Sequence, residues 1–227
     1  LGVGQSPHSS SIPEIQPKSP GTSKRLVMAA LVVLVGLALW LQWRAPSKMQ
    51  PGETVASLTR SVAANLKIFG TSSEFSNGST IQTGSYDLEQ GLVQITFESG
   101  VDLVIEAPAS FEIHSSEFMV LNEGRLAVTV PPEGVGFTVE TPDAEVVDFG
   151  TEFAIEVVGE RSSEVHVFKG EVEVRPKEQD ASIYPVRLVA NQATRIDHAT
   201  FIPLGISLDD HRFLRNLEEP DLTYSGK

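Results

Sequence analysis

From Ser79 to Ile196 apolar and polar residues alternate, and turn-forming residues break the alternation roughly every 8–12 positions. A period of two puts successive side chains on opposite faces of a strand, so this stretch predicts half-buried strands and not helices. The apolar members fall in Gly91–Phe97, Val101–Ile105, Phe111–Ile113, Phe118–Leu121, Gly124–Val130, Gly136–Val139, Ala144–Val147, Phe153–Val157, Val165–Phe168 and Gly170–Val174. Two more strands are expected near Val186–Val189 and Ala193–Ile196. A short unit recurs, in which an apolar strand runs into a polar residue, a glycine and a new alternation, at Leu121–Val128 and Phe168–Val174. Its glycine suits the positive φ of a tight turn or bulge. The expected class is all-β: an antiparallel β-sandwich, jelly-roll-like, or a short β-solenoid stack of hairpins.

The charge supports that division into outer and inner faces. The 227 residues hold 17 Lys+Arg and 30 Asp+Glu, a net charge of −13, but unevenly. Residues 1–70 carry 7 basic and 2 acidic groups, whereas residues 71–180 carry 5 and 22. In Phe153–Val157 and Gly170–Val174 the carboxylates occupy alternate positions, facing water while Val and Ile face inward. Most of the acids are therefore read as solvated outer-face residues. So acidic a surface excludes non-specific nucleic-acid binding, which needs cations to displace counterions. With no cysteine, disulfide scaffolds, thiol catalysis and Cys-ligated metals are excluded as well.

The run Leu26–Trp43 contains no charge over its 18 residues. As a helix rising about 1.5 Å per residue it covers roughly 27 Å, close to the hydrocarbon thickness of a bilayer. Lys24 and Arg25 precede it, Arg44 and Lys48 follow it, and Trp40 and Trp43 stand at one interface. A cleaved signal peptide fits less well, because 25 residues lie upstream and Leu41–Pro46 lacks the small residues of a cleavage site. We expect one transmembrane helix at 26–43, preceded by a disordered cytoplasmic tail, 1–25, rich in Ser and Pro. A linker, 44–54, then leads to an exported β domain, 55–197, and a C-terminal extension, 198–227. Because the sequence opens on Leu1, further chain is expected upstream.

Two segments are ambiguous by pattern. Val55, Leu58, Val62, Leu66 and Phe69 keep helical spacing, yet Val55–Val62 also alternates as a strand. Ser207–Asp210 resembles a helix N-cap with acids early and Arg212 and Arg215 late, which predicts a short helix over Leu208–Leu217.

Catalytic motifs are scarce. No nucleophile elbow, zinc-protease, Walker or paired-Cys motif is present. Asp148-Phe149-Gly150 spells a kinase triplet but lacks every companion motif, so it is read as coincidence. Gly134-Val135-Gly136 reads as a turn, and Asn77-Gly78-Ser79 as a turn entering a strand. His8, His114, His166, His198 and His211 are scattered; His114 and Glu112 share a strand face, but no metal site or cofactor is expected. The junction Gly150-Thr151, within Thr141–Phe153, admits two readings. It is either a bulge whose glycine turns the chain and whose threonine caps it, or a strained bond that the Thr151 hydroxyl attacks in an N→O acyl shift.

Val146–Ile155 followed by Val165–Val174 resembles the hallmark of the FecR family, membrane-anchored periplasmic sensors of the ferric-citrate-regulator type. Asn122–Val128 and Leu188–Ala193 resemble the family's L-x-x-G positions, the second with Asn191 where Gly is usual. The resemblance implies a β-rich periplasmic domain, with a strand at Val55–Val62, that meets the signalling domain of an outer-membrane receptor. It further implies a cytoplasmic sigma factor of the extracytoplasmic-function class as second partner, and self-cleavage at Gly150-Thr151 as in some members. The Ser/Pro-rich tail departs from the family's small Trp-containing cytoplasmic domain. Ile105–Phe111 resembles a branch whose members often carry a C-terminal lectin-like domain.

The resulting expectation is an anti-sigma-type signalling protein of the inner membrane, N-terminus in the cytoplasm and residues 44–227 in the periplasm. It acts by protein contact and without enzymatic turnover. The alternative is a cell-envelope binding or scaffold protein whose β domain presents a carbohydrate-binding module.

Overall fold

The computed structural model describes residues 52–68, 75–158, 161–177 and 184–217. The expected tail 1–25, the apolar run Leu26–Trp43 and the linker as far as residue 51 lie outside the described residues. Among the described residues no helix is long and apolar enough to cross a membrane.

The described chain is all-β. Its strands are β1 (Thr54–Ile68), β2 (Thr80–Gln82), β3 (Gly84–Phe97), β4 (Asp102–Ile113), β5 (Phe118–Thr129), β6 (Thr138–Glu140) and β7 (Ala144–Asp148). They continue as β8 (Glu152–Val157), β9 (Ser162–Lys169), β10 (Glu171–Pro176), β11 (Val186–Val189), β12 (Gln192–Asp197) and β13 (Pro203–Ile206). A single 3-10 turn, Pro132–Gly134, interrupts them. Every pairing is antiparallel except that of β5 with β6.

Strand β5 is the hub. One edge pairs with β4 along most of its length. The other edge is shared: Phe118–Val120 runs parallel to β6, and Gly124–Thr129 runs antiparallel to β8. From there the sheet continues as two arms, β6-β7-β10-β11 and β8-β9-β12-β13. Val146, Val172 and Val174 of the first arm and Phe153, Ile155, Val165 and Val167 of the second share one core with β1, β3, β4 and β5. Tyr86 and Phe111 stack at 5.4 Å within that core, and Phe97 meets Phe137 edge-on at 5.2 Å.

The long strands bend together. Register shifts fall at Val62/Asn65 in β1, Leu88/Leu92 in β3 and Glu106/Ser110 in β4, so a row of bulges crosses neighbouring strands. A further shift at Leu58/Arg60 turns Val62 outward, and those from Val62 to Leu66 return Leu66 to the core with Leu58. The strand reading of Val55–Val62 therefore describes this segment, with β1 running on to Ile68. Asn77 and Gly78 form the turn read from the sequence, closed by Ser79 N–H to Ser76 C=O at 2.9 Å.

The C-terminal helix is a correction. Residues 207–217 form a strap with a turn, not a helix, and strand pairing extends past residue 197 to β13. The backbone groups of the strap find tertiary partners in place of the i→i+4 bonds of a helix. Asp209 N–H donates to His166 Nδ1 at 3.3 Å, Leu214 N–H donates to Glu106 Oε1 at 3.1 Å, and Arg125 and Arg60 donate to the carbonyls of Arg212 and Leu217. Local capping propensity is worth about 1 kcal/mol, and this set of contacts exceeds it.

Candidate functional site

The chain passes between the two arms three times, at Phe149–Thr151, at Lys169–Glu171 and at Ala190–Asn191. Each crossing contains one residue with positive φ: Gly150 at 94°, Gly170 at 79° and Asn191 at 68°. Strands that change sheet need such corners, and glycine accepts them at least steric cost. The crossings stack on one another. Ala190 N–H donates to Gly170 C=O at 3.0 Å, and a Cβ at Gly170 would lie 2.3 Å from the Gly150 carbonyl oxygen. The Gly150–Thr151 bond is therefore the first rung of a column that admits no side chain at the second.

Asp148 organises this rung. Its side chain is fully buried; Oδ2 accepts the Gly150 N–H at 2.7 Å and Oδ1 accepts the Thr151 hydroxyl. An Asp two residues before a glycine is the signature of an Asx turn, and here the turn also holds the threonine. Thr151 is itself buried, with its carbonyl bound by Val130 N–H at 2.9 Å. Burial pushes the Asp148 carboxyl up to about 6, against the opposing pull of backbone N–H groups led by that of Gly150. A carboxylate with that proton affinity is partly ionised near neutral pH and is a competent acceptor for a hydroxyl proton. Around the rung the surface is apolar: Val135 packs 3.5 Å from where a Gly150 Cβ would lie, and the half-exposed Phe149 carries Arg187 5.1 Å above its ring.

At Gly150-Thr151 the glycine turns the chain at positive φ, as the first sequence reading expects, and the buried Thr151 hydroxyl donates to the Asp148 carboxylate. The contacts of Asp148 with Gly150 and Thr151 were missed because Asp148-Phe149-Gly150 matched an unrelated triplet. The usable signal was its spacing to Gly150. His114 lies 3.1 Å from Glu112, with Asn122 on the same carboxylate, and among the described residues no three His, Asp or Glu side chains gather to hold a metal ion.

A second buried polar group lies at the β6–β7 turn. Asp143 accepts Ser163 Oγ at 2.5 Å and lies 2.7 Å from His198 Nδ1. The carboxylate stands between the serine and the histidine, so the histidine does not bond the hydroxyl as a nucleophile's base would. Thr141 ties the turn by accepting the N–H of Ala144 at 3.0 Å. This cluster closes a hairpin and supplies no activated serine.

A β domain with stacked crossovers and a buried Asp–Gly–Thr junction thus defines the architecture. Residues 79–173 match the family model described as FecR protein, and the junction lies inside the matched segment. Two crystal structures of a proposed anti-sigma factor from Parabacteroides distasonis are similar in sequence at 23% identity, with a TM-score of 0.46. The similarity covers 55% of this chain and 60% of that one, so this chain spans less than two thirds of its neighbour. No curated protein matches the chain.

Proposed function

We propose that this protein is a regulatory component of the cell envelope that relays a signal by protein contact, and that its own Gly150–Thr151 bond is cleaved once as part of that role. In this reading Leu26–Trp43 anchors the chain in the inner membrane, and the β domain meets a receptor's signalling domain in the periplasm. The N-terminal side reaches a sigma factor of the extracytoplasmic-function class in the cytoplasm. The observation that carries the reading is the coincidence of the FecR match, residues 79–173, with a buried nucleophile, base and glycyl carbonyl at Asp148–Thr151.

The chemistry needs only residues already in contact, and water. Asp148 takes the proton of Thr151 Oγ as that oxygen adds to the Gly150 carbonyl carbon. The C–N bond then breaks with its electron pair on nitrogen, which recovers the proton from Asp148, leaving Gly150 esterified to Thr151 Oγ. Water hydrolyses the ester, giving a Gly150 carboxylate and a Thr151 with free amine and hydroxyl. The nucleophile becomes a chain end, so the event occurs once per molecule and the protein is not an enzyme with turnover.

Intact-mass analysis of the purified chain tests the cleavage. Wild type is expected to give two fragments separated at Gly150/Thr151, and Thr151→Ala a single full-length species. One full-length mass from wild type at all times ends the cleavage reading. The signalling reading is tested by purifying the protein from solubilised membranes and identifying its bound partners by mass. A sigma factor together with a receptor supports it, and their absence from a washed, full-length preparation defeats it.

A further inference from the structure

The face of the sheet opposite the main core is where β8 and β9 depart from simple alternation. Ala154, Glu164 and His166 point away from the core yet are buried, because the strap Ser207–Leu217 lies over them. Phe213 inserts over a floor made by two small residues, Ala127 of β5 and Ala154 of β8. The ring of His166 stands 5.0 Å from that of Phe213, and the ring of Phe168 6.2 Å. Acids ring this floor. Arg212 pairs with Glu164 and, at 3.2 Å, with Glu156, while Arg215 bonds Glu152 at 2.8 Å.

Three features mark the strap as exchangeable. Its apolar contacts form a cluster separate from the main core, so its departure leaves the core intact. The ion pairs that Arg212 and Arg215 make with Glu156 and Glu152 are partly exposed, a setting in which each pair is worth about 1 kcal/mol or less, and the buried Glu164, which Arg212 also pairs, keeps Arg195 at 2.5 Å when the strap leaves. Finally, the Nε of Arg125 on β5 is buried without a hydrogen-bond partner, a donor that a better-fitting segment can satisfy, and the Nε of Arg212 in the strap itself is likewise unpaired. Beside the strap, a pocket of 190 Å³ is lined by Glu106, Glu123, Glu156, Arg125, Gly124 and Val157 among others. Its net negative lining extends the acidic groove past the strap.

We propose that the outer face of β4, β5, β8 and β9 is a docking site for an extended peptide segment carrying an arginine–aromatic pair, held in cis by Ser207–Leu217 until a partner segment displaces it. The aromatic ring takes the alanine floor, the arginine takes Glu156 and Glu164, and a further basic residue of the partner reaches Glu123. The inference concerns a surface separate from the Gly150–Thr151 junction and stands whether or not that bond is cleaved.

The test uses the full chain and a fluorescent probe with the sequence of residues 207–217, followed by anisotropy. In wild type the strap competes with the probe; in the Arg212→Ala/Phe213→Ala double variant it does not. The double variant is expected to bind about tenfold tighter or more, since the apparent affinity of wild type is lowered by the fraction of closed strap. Adding Ala154→Leu, which fills the floor, should abolish that gain, and a probe with both the arginine and phenylalanine replaced by alanine should not bind. Equal binding of the two probes, or no binding to a folded double variant, overturns the proposal. If the double variant does not fold, hydrogen exchange on wild type decides. Strap amides such as those of Asp209 and Leu214 exchanging well before those of β8 and β9 support displacement, whereas exchange in step with the core strands overturns it.

Discussion

Asp148 concentrates the chemistry of the junction in one titration. Its folded-state affinity for protons, about 6, lies above the ordinary aspartate value, so its contribution is stabilising at low pH and is lost as pH rises through about 6. Asp148→Asn keeps the shape: the amide oxygen accepts Gly150 N–H and the amide nitrogen donates to Thr151 Oγ, with no charge to bury. In urea unfolding, the variant is expected to gain on wild type between pH 5 and pH 8, by at most about 1.4 kcal/mol. The same variant lacks the base, so its Gly150–Thr151 bond should stay intact at every pH, whereas wild-type cleavage should quicken as pH rises through about 6. A flat difference in stability across that range would show that Asp148 does not titrate there. Gly170 makes the complementary case of a residue defined by what is absent. Its φ is 79°, and a Cβ would strike the Gly150 oxygen, so Gly170→Ala should cost about 2–4 kcal/mol in denaturant unfolding.

Among the elements, the strap is the one whose stability follows pH through a single buried side chain. Burial lowers the proton affinity of His166, and Arg212 adds to that, while Glu164 and Asp209 act the other way. Asp209 N–H points at Nδ1 and the Arg212 guanidinium stands 2.6 Å from Nε2, so both ring nitrogens face donors and the neutral ring accepts from only one of them. Protonation then places a second donor against the Asp209 N–H and a second charge beside Arg212. Because the native affinity is lowered, this contribution is present above about pH 6.5 and is lost as pH falls. Burial alone would raise the carboxyl of Glu164, but hydrogen bonds from Arg212 and Arg195 outweigh it and hold the group at about 2, so it stays ionised throughout. After correction for intrinsic rates, strap amides are expected to exchange faster at pH 5.5 than at pH 7.5 in wild type. In His166→Gln they should be insensitive to this change. Equal pH dependence in both proteins would assign the effect elsewhere.

At the scale of the whole molecule, the junction lies where the two arms are already interlocked. Before Gly150, β7 is paired with β10; after Thr151, β8 is paired with β5. Each fragment of a cleaved chain therefore contributes strands to the other's sheet. A chain cut at Gly150/Thr151 is expected to elute as one species in native size-exclusion chromatography and to separate into two only in denaturant. Separation under native conditions would show that the ladders across the cut do not hold the halves. In the proposed signalling role this property matters, because cleavage changes covalent continuity while leaving the domain assembled.

How much was legible in the sequence follows from which forces are local. Alternation across Phe153–Val157 and Gly170–Val174 specified strands and their inner faces, because the pleat alone imposes a period of two. The all-β class and the turn at Asn77-Gly78 were readable from local signals of this kind. Ser207–Leu217 was misread as a helix, because the groups that claim its backbone, Glu106, Arg125 and His166, lie far away in sequence. Burial of Ala154, Glu164 and His166 on an outer face was likewise invisible, since only the strap above them creates it. Asp148 acquired its raised proton affinity only when folding removed it from water and set Thr151 beside it. Sequence by itself determined which residues form strands and which way they face, a matter of backbone geometry. Tertiary structure alone decided where the crossings stack, what the strap covers and which carboxyl holds its proton, because those depend on desolvation and contacts between distant parts of the chain.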